Sequence, residues 1–277
     1  MKQATLPGGE KVPALGLGTW NMGDSPGARK HEVAALQLGL DLGMTLIDTA
    51  EMYAEGGAEL VVGEAIRGRR AQVFLVSKVY PHNASRKGVK AACERSLKRL
   101  GVDRLDLYLL HWPGSIAYGE TLAGFQDLIR AGKIRYHGVS NLDAAAMKEW
   151  WSLPGGDACA TDQVLYNLAR RGIEWELLPS GRKQKMPVMA YSPLDQGRIL
   201  RNPALKEVAG RHGATPAQVA LAWLLQQEGV IVIPKAAKPE HVRENAEALK
   251  LRLTDADKSH LDKAFPPPSG PRSLEML

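Results

Sequence analysis

Eight short apolar runs of strand type recur along this chain, each parted from the next by a stretch of helical period. No other feature limits the fold so strongly. The runs read ALGLGT (14–19), TLIDT (45–49), VFLVSK (73–78), LDLYLLH (105–111), IRYHGVS (134–140), ATDQV (160–164), PVMAYS (187–192) and VIVIPK (230–235). Apolar residues return at helical spacing in KHEVAALQLGLDLG (30–43), AELVVGEAIRG (58–68), GVKAACERSLKRLG (88–101), TLAGFQDLIRAG (121–132) and LDAAAMKEWW (142–151). WELLPSGRKQK (175–185) shows the same pattern with an interruption expected at Pro179, and TPAQVALAWLLQQ (215–227) opens on a Thr-Pro start signal. Strand and helix alternating at a spacing of roughly 25–35 residues indicate βαβ units on a parallel sheet. Eight such strands in 277 residues fit an α/β fold of the closed (β/α)8 TIM barrel kind better than an open doubly wound sheet. Ahead of them TLPGGEKVPAL reads as an N-terminal β-hairpin around Gly8-Gly9. No linker or change of composition divides the chain, so one domain over residues 1–277 is expected, ending in a Pro-rich tail at 266–277.

A net charge of +6 is mild for this length, and the basic residues are dispersed; the densest group, Arg67, Arg69 and Arg70, reads as a solvated helix end. That pattern speaks against a nucleic-acid partner. Two cysteines in unrelated contexts, Cys93 and Cys159, imply no disulfide framework, which makes the reducing cytoplasm the expected location. MKQATLPGGEKVP lacks a signal-peptide core, and no run approaches the ~20 apolar residues of a membrane span.

In a barrel of this kind the chemistry sits at the carboxyl ends of the strands. Polar residues end them here: Asp48, with Tyr53 in the loop behind it, then Lys78, His111, Ser140-Asn141, Gln163, Tyr191-Ser192 and Lys235. A free phenol has a pKa near ~10, and a neighbouring cation lowers it by stabilising the phenolate. Lys78 is placed to be that cation, Asp48 to keep it charged, and His111 to orient a carbonyl oxygen. Such a set protonates a carbonyl that is becoming an alkoxide. Protonation alone reduces nothing, so a nicotinamide or flavin is implied. GLG at 16–18 lacks a third glycine and is no Rossmann fingerprint, so a dinucleotide would lie along the barrel rim. Tyr191 offers a ring for a nicotinamide, Asn141 and Gln163 groups for its carboxamide, and Lys235 a cation for phosphate beside a helix starting near Pro239.

Taken together, LGLGTW, LIDTAEMY, VSK, LLHW, GVSN, QVLYN, AYSPL and IPK…EN resemble the aldo-keto reductases in order and spacing over essentially the whole chain. The resemblance implies a metal-free (β/α)8 enzyme that reduces aldehydes and ketones with NADPH. It implies Tyr53 as the acid, Lys78 as its partner, Asp48 as the counter-ion and His111 as the substrate-orienting residue. For the cofactor it implies Thr19, Trp20 and Asp48, with Ser140, Asn141 and Gln163 at the carboxamide and Tyr191 stacked on the ring. Ser192, Pro193 and Leu194 would follow the pyrophosphate, Lys235 would meet the 2′-phosphate, and His241, Glu244 and Asn245 would sit near the adenosine. Trp20, Tyr80, His111 and Trp112 would wall the substrate pocket. EMYAEGGAE and SKVYPHNAS are similar to the bacterial branch that includes methylglyoxal reductases, which suggests small, reactive aldehydes. A monomer is expected. Two departures, Ala236 for a serine and His241 for an arginine, imply a weakened preference for NADPH over NADH.

Two other readings compete. A metal-dependent hydrolase would need clustered ligands, and the seven histidines form no HxH or HxxxH pair, so no metal is expected. A non-catalytic NADPH-binding redox sensor or regulatory subunit is disfavoured by the intact set of four.

Overall fold

The computed structural model describes residues 2–277, leaving Met1 outside. The hairpin comes first, β1 (Gln3–Thr5) paired antiparallel with β2 (Lys11–Pro13). Eight parallel strands follow: β3 (Gly16–Gly18), β4 (Leu46–Asp48), β5 (Phe74–Val79), β6 (Leu105–Leu110), β7 (Ile134–Ser140), β8 (Asp162–Leu165), β9 (Val188–Tyr191) and β10 (Val230–Val232). Each pairs with its sequence neighbour. Parallel bridges Leu15–Val232 and Gly18–Lys235 bring the last strand against the first and close the barrel.

That seam explains the GLG stretch. A Cβ on Gly18 would lie 2.7 Å from the Ile233 carbonyl oxygen, so glycine is needed where the first and last strands meet. The Gly18 N–H donates to the Pro234 carbonyl across the join at 3.0 Å.

Two apolar clusters divide the core. One fills the barrel, with Leu46, Phe74, Val76, Leu107, Leu109, Met189, Ile231 and Ile233, and Leu6 and Val12 of the hairpin pack against it. The other lies between strands and surrounding helices and holds Ile47, Leu75, Tyr108, Leu110, Val139, Val164, Ala190 and Val232. The split follows the two-residue period of a strand, which sends alternate side chains to opposite faces. Counting on from the inward residues, the same period points Asp48, Lys78, His111, Ser140, Gln163, Tyr191 and Lys235 into one end of the barrel.

Among the described residues ten α-helices wrap the sheet: α1 (Arg29–Asp41), α2 (Gly57–Ala65), α3 (Arg86–Leu100), α4 (Tyr118–Arg130), α5 (Ala144–Ser152), α6 (Leu177–Lys183), α7 (Pro203–Arg211), α8 (Pro216–Leu225), α9 (Pro239–Glu247) and α10 (Asp255–Ala264). Thr215 closes a capping box with Gln218 at the start of α8, as its Thr-Pro signal implies. The interruption expected at Pro179 does not occur. Helix α6 begins at Leu177, so the proline falls in the first turn, where its missing N–H costs no hydrogen bond. The sequence reading did not anticipate α7 and α10. The 266–277 tail does not trail away: Leu274 packs on the outer cluster.

His137 on β7 points outward, stacked on Phe125 of α4 with centroids 5.9 Å apart and 6.0 Å from Trp150 of α5. Burial pushes its pKa down to about 4, against the pull of its Gly155 backbone hydrogen bond and of Asp157. An unfolded histidine titrates near ~6.5. As pH falls below that value the unfolded chain binds a proton that the folded chain refuses, so stability is full above it and drains away towards pH 4. The loss from this residue is about 3 kcal/mol. Denaturant unfolding between pH 7 and 4.5 should show the decline, and a shallower one in His137→Gln; identical slopes would exclude this origin.

Candidate active site

At the C-terminal rim β4 and β5 are adjacent, with Asp48 paired to Val76 in register, which sets Lys78 one inward step above Asp48. The Lys78 side chain is 0% exposed, and all three of its N–H donors are used. Nζ donates to Asp48 Oδ2 at 2.8 Å, to the Thr49 carbonyl at 2.9 Å and to Tyr53 Oη at 3.1 Å. An ammonium cannot accept. The phenol oxygen therefore receives from lysine, and its own proton is free to point into the cavity.

Asp48 is held from a second side. Its Oδ1 accepts from Gln163 Nε2 at 2.8 Å, across the barrel from β8, while Thr19 Oγ1 donates to its backbone carbonyl at 2.9 Å. Sequence reasoning assigned Asp48 to the lysine and missed this link to Gln163, because nothing in strand spacing tells which residues meet across a barrel.

Burial alone would lower the Lys78 pKa, but Asp48 and Tyr53 outweigh it and raise it. The lysine stays charged. For Tyr53 burial dominates and lifts the hydroxyl above the ordinary phenol range; the Lys78 charge pulls the other way, and Asp48 adds to the rise. The expectation of a net lowering is thus corrected: lysine supplies the downward pull, and burial exceeds it. His111, whose ring meets Tyr53 edge-on at 5.6 Å, is driven well below the usual histidine range by burial and then by the Lys78 charge. It is neutral at physiological pH.

Next to this group Asn141 adopts a left-handed φ of 61°. Its Nδ2 donates to the His111 carbonyl and to Ser140 Oγ at 3.2 and 3.1 Å, and its Oδ1 accepts from the Tyr191 hydroxyl at 3.0 Å. Ser140 Oγ donates to the Gln163 carbonyl at 2.7 Å.

These residues border a cavity of about 390 Å³. Thr19, Trp20, Asp48, Tyr53, His111, Trp112, Ser140, Asn141, Gln163, Tyr191, Ser192, Pro193, Leu194 and Lys235 all line it. Tyr80, His241, Glu244 and Asn245 do not. Tyr80 stands behind Trp112, edge-on at 5.8 Å, and stacks on His82. Glu244 is engaged by the Thr215 hydroxyl, Asn245 is buried in α9, and His241 is exposed. Unforeseen in the sequence were Met52, Gln196 and Gly197, and the tail residues Met276 and Leu277, which return to the cavity wall.

The arrangement can donate one proton from a phenol whose oxygen is already coordinated by a cation. Among the described residues no group of three His, Cys, Asp or Glu is placed to hold a metal ion. Removing the cation alone leaves a buried carboxylate unpaired, which costs about 3–5 kcal/mol, whereas removing both charges is close to neutral. Lys78→Met should therefore be strongly destabilised, and Asp48→Asn/Lys78→Met should regain about 3 kcal/mol in denaturant unfolding. A double variant no more stable than the single one would show that the pair is not coupled.

The Aldo/keto reductase family model matches residues 14–265. Methylglyoxal reductase YeaE of Escherichia coli is 56% identical to this chain, covering 100% of it and 99% of the relative. Glyoxal reductase of Bacillus subtilis is 34% identical, over 93% of this chain and 90% of its own. A crystal structure of an aldo/keto reductase from Klebsiella pneumoniae in complex with NADP and acetate superposes with a TM-score of 0.97 at 49% identity, covering 100% of this chain and 99% of the other. A second from the same organism, in complex with NADPH, gives 0.96 at 49% identity and full coverage of both chains. With the family model matched over most of its length and a relative more than half identical along all of it, this chain belongs to the aldo/keto reductase family.

Proposed function

We propose that this protein reduces aldehydes and ketones to alcohols with NADPH, small reactive dicarbonyls such as methylglyoxal among them. The observation that carries the reading is the fully used ammonium of Lys78, held between Asp48 and the Tyr53 hydroxyl. The methylglyoxal reductase of E. coli, more than half identical along the whole chain, supports the substrate class.

The cavity suits a nicotinamide dinucleotide. Amide and hydroxyl side chains, the Tyr191 ring and the exposed Lys235 all line it. Ser140, Asn141 and Gln163 would hold the carboxamide and Tyr191 the ring. Thr19, Trp20 and Ser192 to Leu194 would follow the chain of the cofactor, Lys235 would take the 2′-phosphate, and His241, Glu244 and Asn245 would flank the adenosine. When bound, the cofactor supplies hydride to the carbonyl carbon.

The protein's own groups do the rest. His111, neutral and flanked by Trp112 at 4.8 Å, donates a hydrogen bond that orients the carbonyl oxygen. Tyr53 gives its proton to that oxygen as negative charge develops there. Lys78 stabilises the phenolate left behind, and Asp48 keeps the lysine charged and in place. Trp20 and Trp112 line the carbonyl end with apolar surface and exclude water from the developing charge. The reading carries with it a monomer working in the cytoplasm, and among the described residues no helix is long and apolar enough to cross a membrane.

Mixed with NADPH and methylglyoxal, the protein should consume the cofactor, and Tyr53→Phe should slow this by about a hundredfold to ten-thousandfold while leaving NADPH affinity nearly unchanged. A cofactor-binding sensor would consume none, and near-normal turnover by the variant would remove Tyr53 from its role. Ala236 offers no hydroxyl and His241 no permanent bidentate grip, but Lys235 remains for the 2′-phosphate. The kcat/KM ratio at neutral pH should accordingly favour NADPH over NADH by a modest margin; equality or inversion would refute the role of Lys235.

A further inference from the structure

The QVLYN stretch ends on Asn167, to which the reaction above gives no task. It is fully buried in the loop between β8 and α6, with every polar atom of its side chain engaged. Oδ1 accepts from the Ala169 and Arg170 backbone N–H groups at 2.9 and 3.0 Å, closing a tight turn. Nδ2 donates to the Ser192 carbonyl at 2.9 Å.

Ser192 opens a segment that needs holding. Ser192, Asp195 and Gln196 have left-handed φ values of 49°, 48° and 55°, with Gly197 at 85°. Each such non-glycine residue costs on the order of 1–3 kcal/mol unless its surroundings enforce it. Ser192, Pro193, Leu194, Gln196 and Gly197 from this segment all line the cavity.

The turn fixed by Asn167 also aims Arg170. Its guanidinium lies 3.6 Å from Asp195 Oδ1, inside the strained segment, and 2.5 Å from Glu275 Oε1, on the tail. Glu275 directly precedes Met276 and Leu277, which also line the cavity.

We infer that Asn167 and Arg170 are positioning residues that clasp two parts of the cavity wall: Asn167 holds the strained segment in the shape that receives the dinucleotide, and Arg170 ties that segment to the tail, whose last residues would meet the carbonyl substrate. Dinucleotide affinity and the fit of the carbonyl substrate are thereby coupled through one side chain. The inference rests on the NADPH reading above.

The test begins with NADPH binding to the protein without a carbonyl substrate, followed by fluorescence. Asn167→Ala loses the hold on Ser192, and its Kd should rise about fivefold, the worth of one hydrogen bond. Arg170→Ala, a change at a partly exposed side chain, keeps the turn and guards against a failure of the first variant to fold. It should raise both the Kd for NADPH and the KM for the carbonyl, with kcat at saturation and the thermal midpoint little changed. Glu275→Gln should move only the carbonyl KM. Adding Glu275→Gln to Arg170→Ala should worsen that KM no further, because the two act through one contact. Unchanged NADPH affinity in both Asn167→Ala and Arg170→Ala, or additive effects of Arg170→Ala and Glu275→Gln, would overturn the clasp alone. A wild type that does not bind NADPH would overturn the cofactor reading and the clasp with it.

Discussion

A fully buried lysine organises this molecule. Burying an ammonium is tolerable only when its charge is balanced and each N–H finds an acceptor. Lys78 meets the condition with a carboxylate, a backbone carbonyl and a phenol, brought by β4 and the loop that follows it. Because two of those three partners are fixed, the phenol is the one whose protonation state the lysine can serve. The ion pair that permits burial of the charge is thus the one that stabilises the phenolate once the proton has gone.

The barrel supplies what an open sheet would not. Strand ends arranged in a ring converge on one space, so residues remote in sequence become neighbours without any loop having to carry them far. Gln163 reaching Asp48 over a separation of 115 positions is the plainest instance. Through it the residues suited to a carboxamide and those suited to proton transfer share one hydrogen-bonded network, whose members fix one another's rotamers.

Much of this was legible in the chain. Strand runs of near-constant rhythm announced a closed parallel barrel, and strand ends marked by titratable side chains announced the site; both rest on a period of two that survives any uncertainty about element ends. Other things were not. Helix α7 begins just after a stretch dense in left-handed residues and carries a proline at its start, so its short period is masked by turn-like neighbours. The net direction of the Tyr53 shift depends on how deeply its hydroxyl sits, which the sequence does not contain. The tail read as an extension because it is rich in proline, yet Leu274 anchors it and the Glu275 carboxylate finds Arg170. A contact between positions 105 apart leaves no local trace.

The hairpin at the start has a consequence for traffic. Leu6 and Val12 pack against the barrel's inner cluster, opposite the rim that carries the lysine. The vessel is blind at that end. Among the described residues the way into the cavity runs past the opposite rim, so the loops there govern both arrival and departure.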